Sequence, residues 1–338
     1  MASASHPLVI GHRGAPGYRP EHTAASYRLA IALGADAVEP DIVATRDGVL
    51  VVRHENEISG TTDVARHPEF VRRRTTKVVD GRPLTGWFTE DFTWAELSTL
   101  GARERIPKTR PANATFDSRY PLLRLSDLFE LLERSADAGT PVGMVAEIKH
   151  PSYFAGIGLP LDELFAAEVA AAGWQARDER LTLECFELGV LHDLANRAVG
   201  ARRVFLLEKS GTPYDEVLAR GAGARPYADF LTKDGLRSLA ESVDGISVDK
   251  ALLLSTDAAG EPAGDALVGS AHANGLLVFT WTLRPENRFL APAFRQGKPK
   301  GAYGDWLGEF ELVLSTGVDG VFADHPDLAV EARSALSN

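Results

Sequence analysis

The sequence predicts an α/β fold, a (β/α)8 TIM barrel with a large insertion after the second strand. Short apolar runs rich in β-branched residues alternate with longer helical patterns, which is typical of βαβ units that feed a parallel sheet. Eight such runs can be counted, and eight parallel strands close this kind of barrel. The 338-residue chain also suits one α/β barrel domain with insertions. We therefore predict a single domain over residues 1–338.

Each predicted strand is a short apolar run between turn-forming or polar residues. The eight predicted strands are residues 8–11, 37–43, 143–149, 181–186, 203–207, 245–248, 276–282 and 320–323. The predicted crossover helices are residues 23–33, 125–134, 161–172, 190–198, 232–242 and 265–274. A ninth apolar run, residues 49–53, follows an Asp47-Gly48 turn. We interpret this run as a hairpin that returns from the second strand, not as a barrel strand.

Two segments have no regular pattern. Residues 55–120 are too polar and irregular for one ordinary βα loop. We predict that they form the insertion and cover the barrel mouth, because long βα loops carry the specificity of barrels. A second segment, residues 285–308, is rich in glycine, proline and aromatic residues and precedes the last strand.

Composition excludes several classes of protein. The chain has 36 Lys and Arg residues against 47 Asp and Glu residues, a formal net charge of -11. Nucleic acids and anionic membranes are therefore not expected as partners, since both require a positive face. One cysteine, Cys185, can form neither an internal disulfide nor a thiolate metal cluster, so any metal would be held by carboxylates and imidazoles.

The N-terminus has no Lys or Arg before Leu8, and no window approaches 18 uncharged apolar residues. Neither a signal peptide nor stable membrane insertion is therefore expected. We predict a cytoplasmic protein, or a secreted or periplasmic one if a signal peptide has been removed. The sequence does not indicate an oligomeric state.

Polar side chains follow the first predicted strand and the hairpin. The first strand ends in Gly11-His12-Arg13-Gly14, and the hairpin ends in Val52-Arg53-His54. Barrel active sites form where strands end. Histidine exchanges protons near neutral pH, and arginine can hold a phosphate by paired hydrogen bonds. A His-Arg pair beside a turn is also a common surface feature, so this motif alone does not decide.

The next two strands supply acids. Glu39 and Asp41 lie at positions i and i+2, on one face of a strand, and so do Glu147 and Lys149. Two acids on one buried face repel each other, and either a hard cation or ion pairing would relieve this repulsion. A core ion pair would equally explain Glu147 and Lys149. Chance alone would rarely place an acid, a base or a cation at each of several successive strand ends. This joint occurrence therefore predicts an active site.

The motifs resemble, in order, the glycerophosphodiester phosphodiesterase family. They are His12-Arg13-Gly14, Pro20-Glu21-His22-Thr23, Glu39-x-Asp41, Val52-Arg53-His54, Thr61-Thr62-Asp63, Glu147-Ile148-Lys149 and Gly320-Val321-Phe322-Ala323-Asp324-His325-Pro326. The resemblance runs from Ile10 to about Pro326. Its first part is similar to the longer bacterial branch, which carries a large insertion after the second strand.

The resemblance implies a TIM-barrel enzyme that hydrolyses glycerophosphodiesters to glycerol 3-phosphate and an alcohol, using one divalent cation, Ca or Mg. Its implied partner is a small-molecule glycerophosphodiester. The implied site residues are Glu39, Asp41 and Glu147 as metal ligands, His12 and His54 as the general acid and base, Arg13 and Lys149 on the phosphate, and Phe186 and Trp281 as an apolar wall. The resemblance does not decide which histidine is the acid, nor whether water or a substrate hydroxyl attacks.

Some positions depart from the family pattern. His22 stands where Asn is frequent and Glu55 where Asp is frequent, and we expect both to affect catalysis little. Residues 58–60 replace a Leu-Asp-Arg-like segment. Glu184 stands where Gln is more usual. It could add a metal ligand or raise the pKa of a neighbouring group, or it could simply face solvent.

Three other functions remain open at this point. The first is a phospholipase D-like phosphodiesterase that acts on lysophospholipids, for which Trp87, Phe88, Phe92 and Trp94 could line an apolar groove. The second is a barrel that binds phosphodiesters without turnover. The third is a sugar-phosphate isomerase, which would not need three carboxylates around a cation.

Overall fold

The structure is a computed structural model that describes residues 6–174, 179–257 and 261–336. Its strands are β1 Leu8–His12, β2 Ala37–Glu39, β3 Asp41–Ala44, β4 Leu50–Val52, β5 Thr75–Val79, β6 Arg82–Gly86, β7 Gly143–Ile148, β8 Leu181–Cys185, β9 Arg202–Leu207, β10 Gly245–Asp249, β11 Leu254–Thr256, β12 Pro262–Gly264, β13 Leu277–Leu283 and β14 Gly320–Ala323.

Helices separate most of these strands. The α-helices are α1 Ala24–Ala32, α2 Trp94–Leu97, α3 Leu125–Asp137, α4 Pro151–Gly156, α5 Leu161–Ala171, α6 Leu188–Asn196, α7 Tyr214–Arg220, α8 Tyr227–Phe230, α9 Lys233–Leu239, α10 Leu267–His272, α11 Trp306–Ser315 and α12 Pro326–Ala335. Short 3-10 helices lie at Val64–Arg66, Pro68–Arg73, Thr89–Asp91, Asn113–Phe116, Gly221–Gly223, Lys250–Leu252 and Pro292–Phe294. Within the described ranges, no helix is long and apolar enough to cross a membrane.

The parallel strands close into a barrel. Their order is β1, β14, β13, β10, β9, β8, β7 and then β2, which pairs again with β1. Eight parallel strands that pair on every side leave no open edge, and with the helices between them they form a (β/α)8 barrel. The predicted TIM barrel is confirmed.

The second barrel strand is interrupted, which corrects the single strand predicted for residues 37–43. It consists of β2 and β3, separated by Pro40. Proline has no N–H to donate to the ladder, so the strand breaks there, although the Pro40 carbonyl still accepts from the amide of Glu147 at 2.9 Å. β4 pairs antiparallel with β3, which confirms the predicted hairpin.

Apolar side chains fill both faces of the sheet. The barrel interior is packed by Ile10, Ala37, Val145, Val204, Phe279 and Phe322. Outside the barrel, α3 buries Leu125, Leu128 and Leu132, which recur at helical spacing on one face. Burial of each such leucine stabilises the fold by roughly 1.5–3 kcal/mol. Polar chemistry is therefore expected only at the strand ends, where this packing stops.

The segment between β4 and α3 contains structure that the sequence analysis missed. β5 and β6 form a hairpin around an Asp80-Gly81 turn, and both turn residues have positive φ. Most of the side chains in this hairpin are exposed, so it has no continuous apolar run that predicts strands. Trp87, Phe88 and Phe92 are buried in this segment. These three rings pack inside it and do not line an open groove.

Candidate active site

The register of the barrel places the acidic residues side by side. His12 pairs with Glu39 across β1 and β2, Asp41 pairs with Glu147, and Glu147 pairs with Glu184 on β8. Paired residues of neighbouring parallel strands project to the same face of the sheet. His12, Glu39, Glu147 and Glu184 lie at or near the carboxyl ends of their strands, where barrel sites form, and Asp41 begins β3 directly after the break at Pro40.

Three glutamates converge at this mouth. One carboxylate oxygen from each of Glu39, Glu147 and Glu184 lies within 4.8 Å of the others. All three side chains are buried. The sequence predicts Glu39, Asp41 and Glu147 as ligands, whereas the three converging oxygens belong to Glu39, Glu147 and Glu184. The burial of Glu184 also excludes the solvent-facing alternative considered for this residue.

Asp41 lies beside this group and is held by other side chains. Its Oδ2 accepts from Nε2 of His22 at 2.8 Å and lies 3.3 Å from Nε of Arg13. Its Oδ1 lies 3.6 Å from Nζ of Lys149. Burial by itself raises the pKa of Asp41, but Lys149, His54 and Arg13 together hold it well below its usual range. Asp41 is therefore ionised.

The pKa values of the three glutamates are shifted in the opposite direction to that of Asp41. Burial raises the pKa of Glu39 and of Glu184 well above the ordinary value, and the neighbouring carboxyls raise both further. Burial also raises the pKa of Glu147 to about 8, against the influence of Lys149. These carboxyls thus lack sufficient positive charge to ionise together, which is the environment that a hard cation relieves.

Two buried oxygen atoms at this mouth are unsatisfied. Oδ1 of Asp41 and Oε2 of Glu184 find no hydrogen-bond partner among the described residues. Buried polar atoms without a partner are costly and require an explanation. Carboxylate oxygens are the ligands that Ca²⁺ and Mg²⁺ prefer. The donor set therefore fits one divalent cation.

Arg13 and Lys149 bring positive charge to the mouth. Arg13 has a φ of 57°, and its amide donates to Oε2 of Glu39 at 2.7 Å while its guanidinium donates to Glu21 at 3.2 Å. Nζ of Lys149 donates to Oε1 of Glu147 at 2.7 Å. Burial lowers the pKa of Lys149, but Glu147 and Asp41 outweigh it and raise the pKa. Both side chains stay charged.

His12 is neutral and held through Nδ1. This nitrogen lies 2.6 Å from Oδ1 of Asp324, which follows β14. Burial lowers the pKa of His12 to about 4, and the charge of Arg13 adds to the effect. Because Asp324 is ionised, the neutral ring must carry its proton on Nδ1. Nε2 of His12 is then the nitrogen that can accept a proton from a ligand.

His54 repeats this arrangement with a different partner. Its Nδ1 lies 2.6 Å from Oε1 of Glu55. Burial lowers the pKa of His54 to about 3, and the charges of Arg13 and Lys149 act in the same direction. The two candidate acid–base residues therefore share one geometry, a neutral imidazole whose Nδ1 is occupied by a carboxylate.

Phe186 and Trp281 also meet at the mouth. Their rings are 5.9 Å apart in an edge-to-face arrangement, and Nζ of Lys149 lies 5.7 Å from the Phe186 ring centroid. Nε1 of Trp281 has no hydrogen-bond partner within the described part of the chain. The pair thus offers an apolar surface with one free donor.

Two neighbours have more contact with the site than the sequence analysis expected. The sequence predicts little effect on catalysis for His22 and Glu55, yet Nε2 of His22 donates to Asp41, and Glu55 contacts Nδ1 of His54. Asp324 was not selected, although it stands inside the Ala323-Asp324-His325-Pro326 motif that could have revealed it. Arg105 and Arg110, which contact Glu55 and Asp324, lie in the irregular segment and carry no sequence signal.

A cavity of about 150 Å³ opens beside these residues. Its lining includes His12 and Arg13 from the barrel, Arg105 and Arg110 from the segment between β4 and α3, and Arg284. Glu21, Glu104 and Asp324 also line this cavity, and each of the four arginines pairs with a carboxylate, so the lining is mixed in charge.

Comparison with known proteins assigns this site to a family. The family model described as the Glycerophosphoryl diester phosphodiesterase family matches residues 12–328. The chain belongs to this family. The resemblance found in the sequence is thereby confirmed.

Relatives within the family extend over nearly the whole chain. The glycerophosphodiester phosphodiesterase GDPD6 of Arabidopsis thaliana is 30% identical over 332 residues, which cover 95% of this chain and 84% of that protein. The glycerophosphodiester phosphodiesterase of Treponema pallidum is 26% identical, over 97% of this chain and 92% of that protein. The prediction that the chain is an enzyme of this family is confirmed by these relatives.

A solved structure shares the fold. A phosphodiesterase of Oleispira antarctica, in complex with the product sn-glycerol-3-phosphate, superposes with a TM-score of 0.58 at 19% sequence identity. The match covers 97% of this chain and 96% of that one. At this level of identity the likeness concerns the barrel architecture.

Proposed function

We propose that this protein hydrolyses glycerophosphodiesters to glycerol 3-phosphate and an alcohol in a reaction that depends on one divalent cation, Ca or Mg. One observation carries the proposal: two neutral imidazoles, those of His12 and His54, lie at the same end of the barrel as a buried carboxylate cluster. The Oleispira antarctica relative binds sn-glycerol-3-phosphate as its product, and we infer the same product here.

The cation would be held by Glu39, Asp41 and Glu147. Support comes from the oxygens of Glu39 and Glu147, which converge within 4.8 Å together with one of Glu184, and from the unpartnered Oδ1 of Asp41 within the described chain. When bound, a divalent cation neutralises phosphate charge and acts as a Lewis acid on a phosphate oxygen.

Arg13 and Lys149 would hold the remaining phosphate oxygens. Both groups are cationic and both are anchored by neighbouring carboxylates, so they are oriented before substrate arrives. Such preorganised charge stabilises a transition state more than mobile side chains do. The substrate is a small molecule with one phosphodiester charge.

His12 and His54 would transfer the protons. One imidazole takes a proton at Nε2 from the attacking group, which is either water or the neighbouring hydroxyl of the substrate. The other must donate a proton to the departing alkoxide. Because both pKa values are low in the free protein, the acid gains its proton as the phosphate binds, since a nearby anion raises the pKa of an imidazole.

Phe186 and Trp281 would contact the glycerol or the leaving group. Their edge-to-face pair supplies apolar surface, and the free Nε1 of Trp281 supplies one donor for a substrate oxygen. A buried donor that awaits a ligand gives selectivity, because a substrate without the matching acceptor leaves it unpaired.

The test is release of glycerol 3-phosphate from glycerophosphocholine by chelator-treated protein, with and without added calcium or magnesium. We expect release only with a cation. Lysophosphatidylcholine serves as the comparison substrate and is expected to react poorly, because three of the four insertion aromatics are buried. Cation-independent release would remove the metal from the proposal, and preferential cleavage of the lysolipid would replace the substrate.

A further inference from the structure

The insertion reaches both histidines through matching chains of contacts. Arg105 donates to both oxygens of Glu55 at 2.7 Å, and Glu55 contacts Nδ1 of His54 at 2.6 Å. Arg110 donates to Oδ2 of Asp324 at 2.7 Å, and Oδ1 of Asp324 contacts Nδ1 of His12 at 2.6 Å. The two arginines are five residues apart in a segment that forms no part of the barrel sheet.

We propose that Arg105 and Arg110 are positioning residues, each of which holds the carboxylate that orients one of the two acid–base histidines. The insertion then completes the catalytic geometry in addition to covering the mouth. This inference rests on the proposed roles of His12 and His54. The inference adds a positioning role for two residues outside the barrel.

Arg105 is well suited to fix Glu55. Glu55 is about one-third exposed and would otherwise sample several rotamers, and so would the imidazole of His54 that depends on it. A planar guanidinium that grips both carboxylate oxygens removes this freedom. The other side of Arg105 is anchored by Glu21, at 2.8 Å from Nε and 2.6 Å from one terminal nitrogen.

Arg110 is fixed more strongly than Arg105. It is buried, it grips Glu286 through Nε at 2.6 Å, and it donates to the carbonyl of Pro16 at 3.1 Å. Asp324 has a second cationic partner, since Nε of Arg284 also donates to Oδ2 at 2.7 Å. Loss of Arg110 therefore leaves one support for Asp324. Loss of Arg105 leaves Glu55 with no arginine within ion-pair distance among the described residues.

This difference predicts an order of effects. We expect Arg105→Met to lower kcat by about 10- to 100-fold with KM nearly unchanged, because a misplaced catalytic group slows the chemical step more than binding. Arg105→Lys keeps the positive charge but cannot bind both carboxylate oxygens in the planar geometry of a guanidinium. Its kcat should therefore lie between those of the wild type and Arg105→Met. Arg110→Met should have the smaller effect on kcat, because Arg284 still holds Asp324.

A matched control lies in the same segment. Arg103 has a similar exposure and forms an ion pair with Asp117 at 3.2 Å. No contact links Arg103 to a histidine or to its carboxylate among the described residues. Arg103→Met should therefore leave kcat within about twofold of the wild type.

Two further measurements separate positioning from general damage. A double-mutant cycle with Glu55→Gln should show that Arg105→Met adds little loss once Glu55 is changed; additive losses would mean that Arg105 acts through Glu21 instead. Proton NMR should show a low-field Nδ1–H signal for His54 in the wild type and its loss in Arg105→Met. Melting curves establish that each variant is folded.

The outcomes distinguish this inference from the function on which it rests. An inactive His54→Ala with a normal Arg105→Met would overturn the inference and leave the function intact. A fully active His54→Ala would instead remove His54 from the mechanism. Equal losses in Arg103→Met and Arg105→Met would also overturn the inference, because they would indicate a structural effect of the segment.

Discussion

Glu184 on β8 lies in register beside Glu147 on β7, so two buried carboxyls face the same point of the barrel mouth. Glutamine is the more usual residue at the position of Glu184, according to the family resemblance. Burial and the neighbouring Glu147 and Asp41 raise the pKa of this extra carboxyl well above the ordinary value, and one of its oxygens has no hydrogen-bond partner in the described structure.

Replacing Glu184 with glutamine should weaken binding of Ca²⁺ or Mg²⁺ by about tenfold, because an ionised ligand oxygen near the cation is lost. The same change should raise the melting temperature of the cation-free protein, since it removes a buried carboxyl that repels Glu147 and Asp41. Calorimetric metal titration and thermal unfolding measure the two effects. The control is Glu187→Gln, because Glu187 is also a buried carboxyl but lies outside the cluster. An unchanged metal titration for Glu184→Gln would exclude Glu184 as a ligand.

Replacing either His12 or His54 with alanine should reduce kcat by two or more orders of magnitude, roughly, with the fold retained. Each ring supplies one proton-transfer group, and the arginines that share its carboxylate, Arg110 and Arg284 on Asp324 and Arg105 on Glu55, cannot exchange a proton near neutral pH. His272→Ala is a suitable control, because His272 lies on α10 and pairs with Asp319 away from the mouth. The measurement is kcat for glycerophosphocholine hydrolysis by each variant. A near-normal kcat in one variant would exclude that residue from the mechanism.

Removal of the cation should lower thermal stability as well as activity. A ligand that binds only the folded state stabilises it by about 2.7 kcal/mol at one hundred times its Kd. Here the cation would also relieve repulsion among Glu39, Glu147 and Glu184. Melting curves in chelator and in excess calcium or magnesium measure the shift. Identical curves would contradict a cation site in the folded protein.

Acidification should destabilise the fold through its buried histidines. Burial lowers the pKa of His325 to about 4, with a further contribution from Arg110. Below pH 6.5 the unfolded chain binds a proton that the folded ring does not, so stability present above pH 6.5 is lost as the pH falls toward 4. A shift from 6.5 to about 4 corresponds to about 3 kcal/mol.

The contribution of His325 can be isolated by comparing slopes. We expect His325→Gln to lose less unfolding free energy than the wild type between pH 7 and pH 4.5, even though it loses the 3.0 Å contact with Tyr303 at both values. Urea unfolding at the two pH values gives the difference. Parallel losses in the two proteins would mean that the imidazole titrates normally in the folded state.

The barrel and much of its site were predictable from sequence because both depend on local patterns. Apolar runs in alternation with helical patterns predict the eight strands, and the two-residue period of a strand puts Glu39 and Asp41 on one face. Since functional groups of a barrel gather where strands end, His12 and Glu147 could also be selected. Pro40 removes one ladder donor and so indicates local irregularity in this strand, although the break into β2 and β3 was not predicted.

The tertiary structure decided the contacts between distant segments. His12 and Asp324 are 312 residues apart, and their contact exists only because β14 returns to β1 as the barrel closes. Arg105 and Arg110 lie in a segment without periodic patterning, so nothing in their neighbourhood indicates which carboxylates they hold. The sequence by itself determined the kind of barrel and the residues at its strand ends. Only closure of the chain in three dimensions decided how Glu184, Asp324 and the two arginines join them, because side-chain contacts across a barrel depend on register and loop path and not on local spacing.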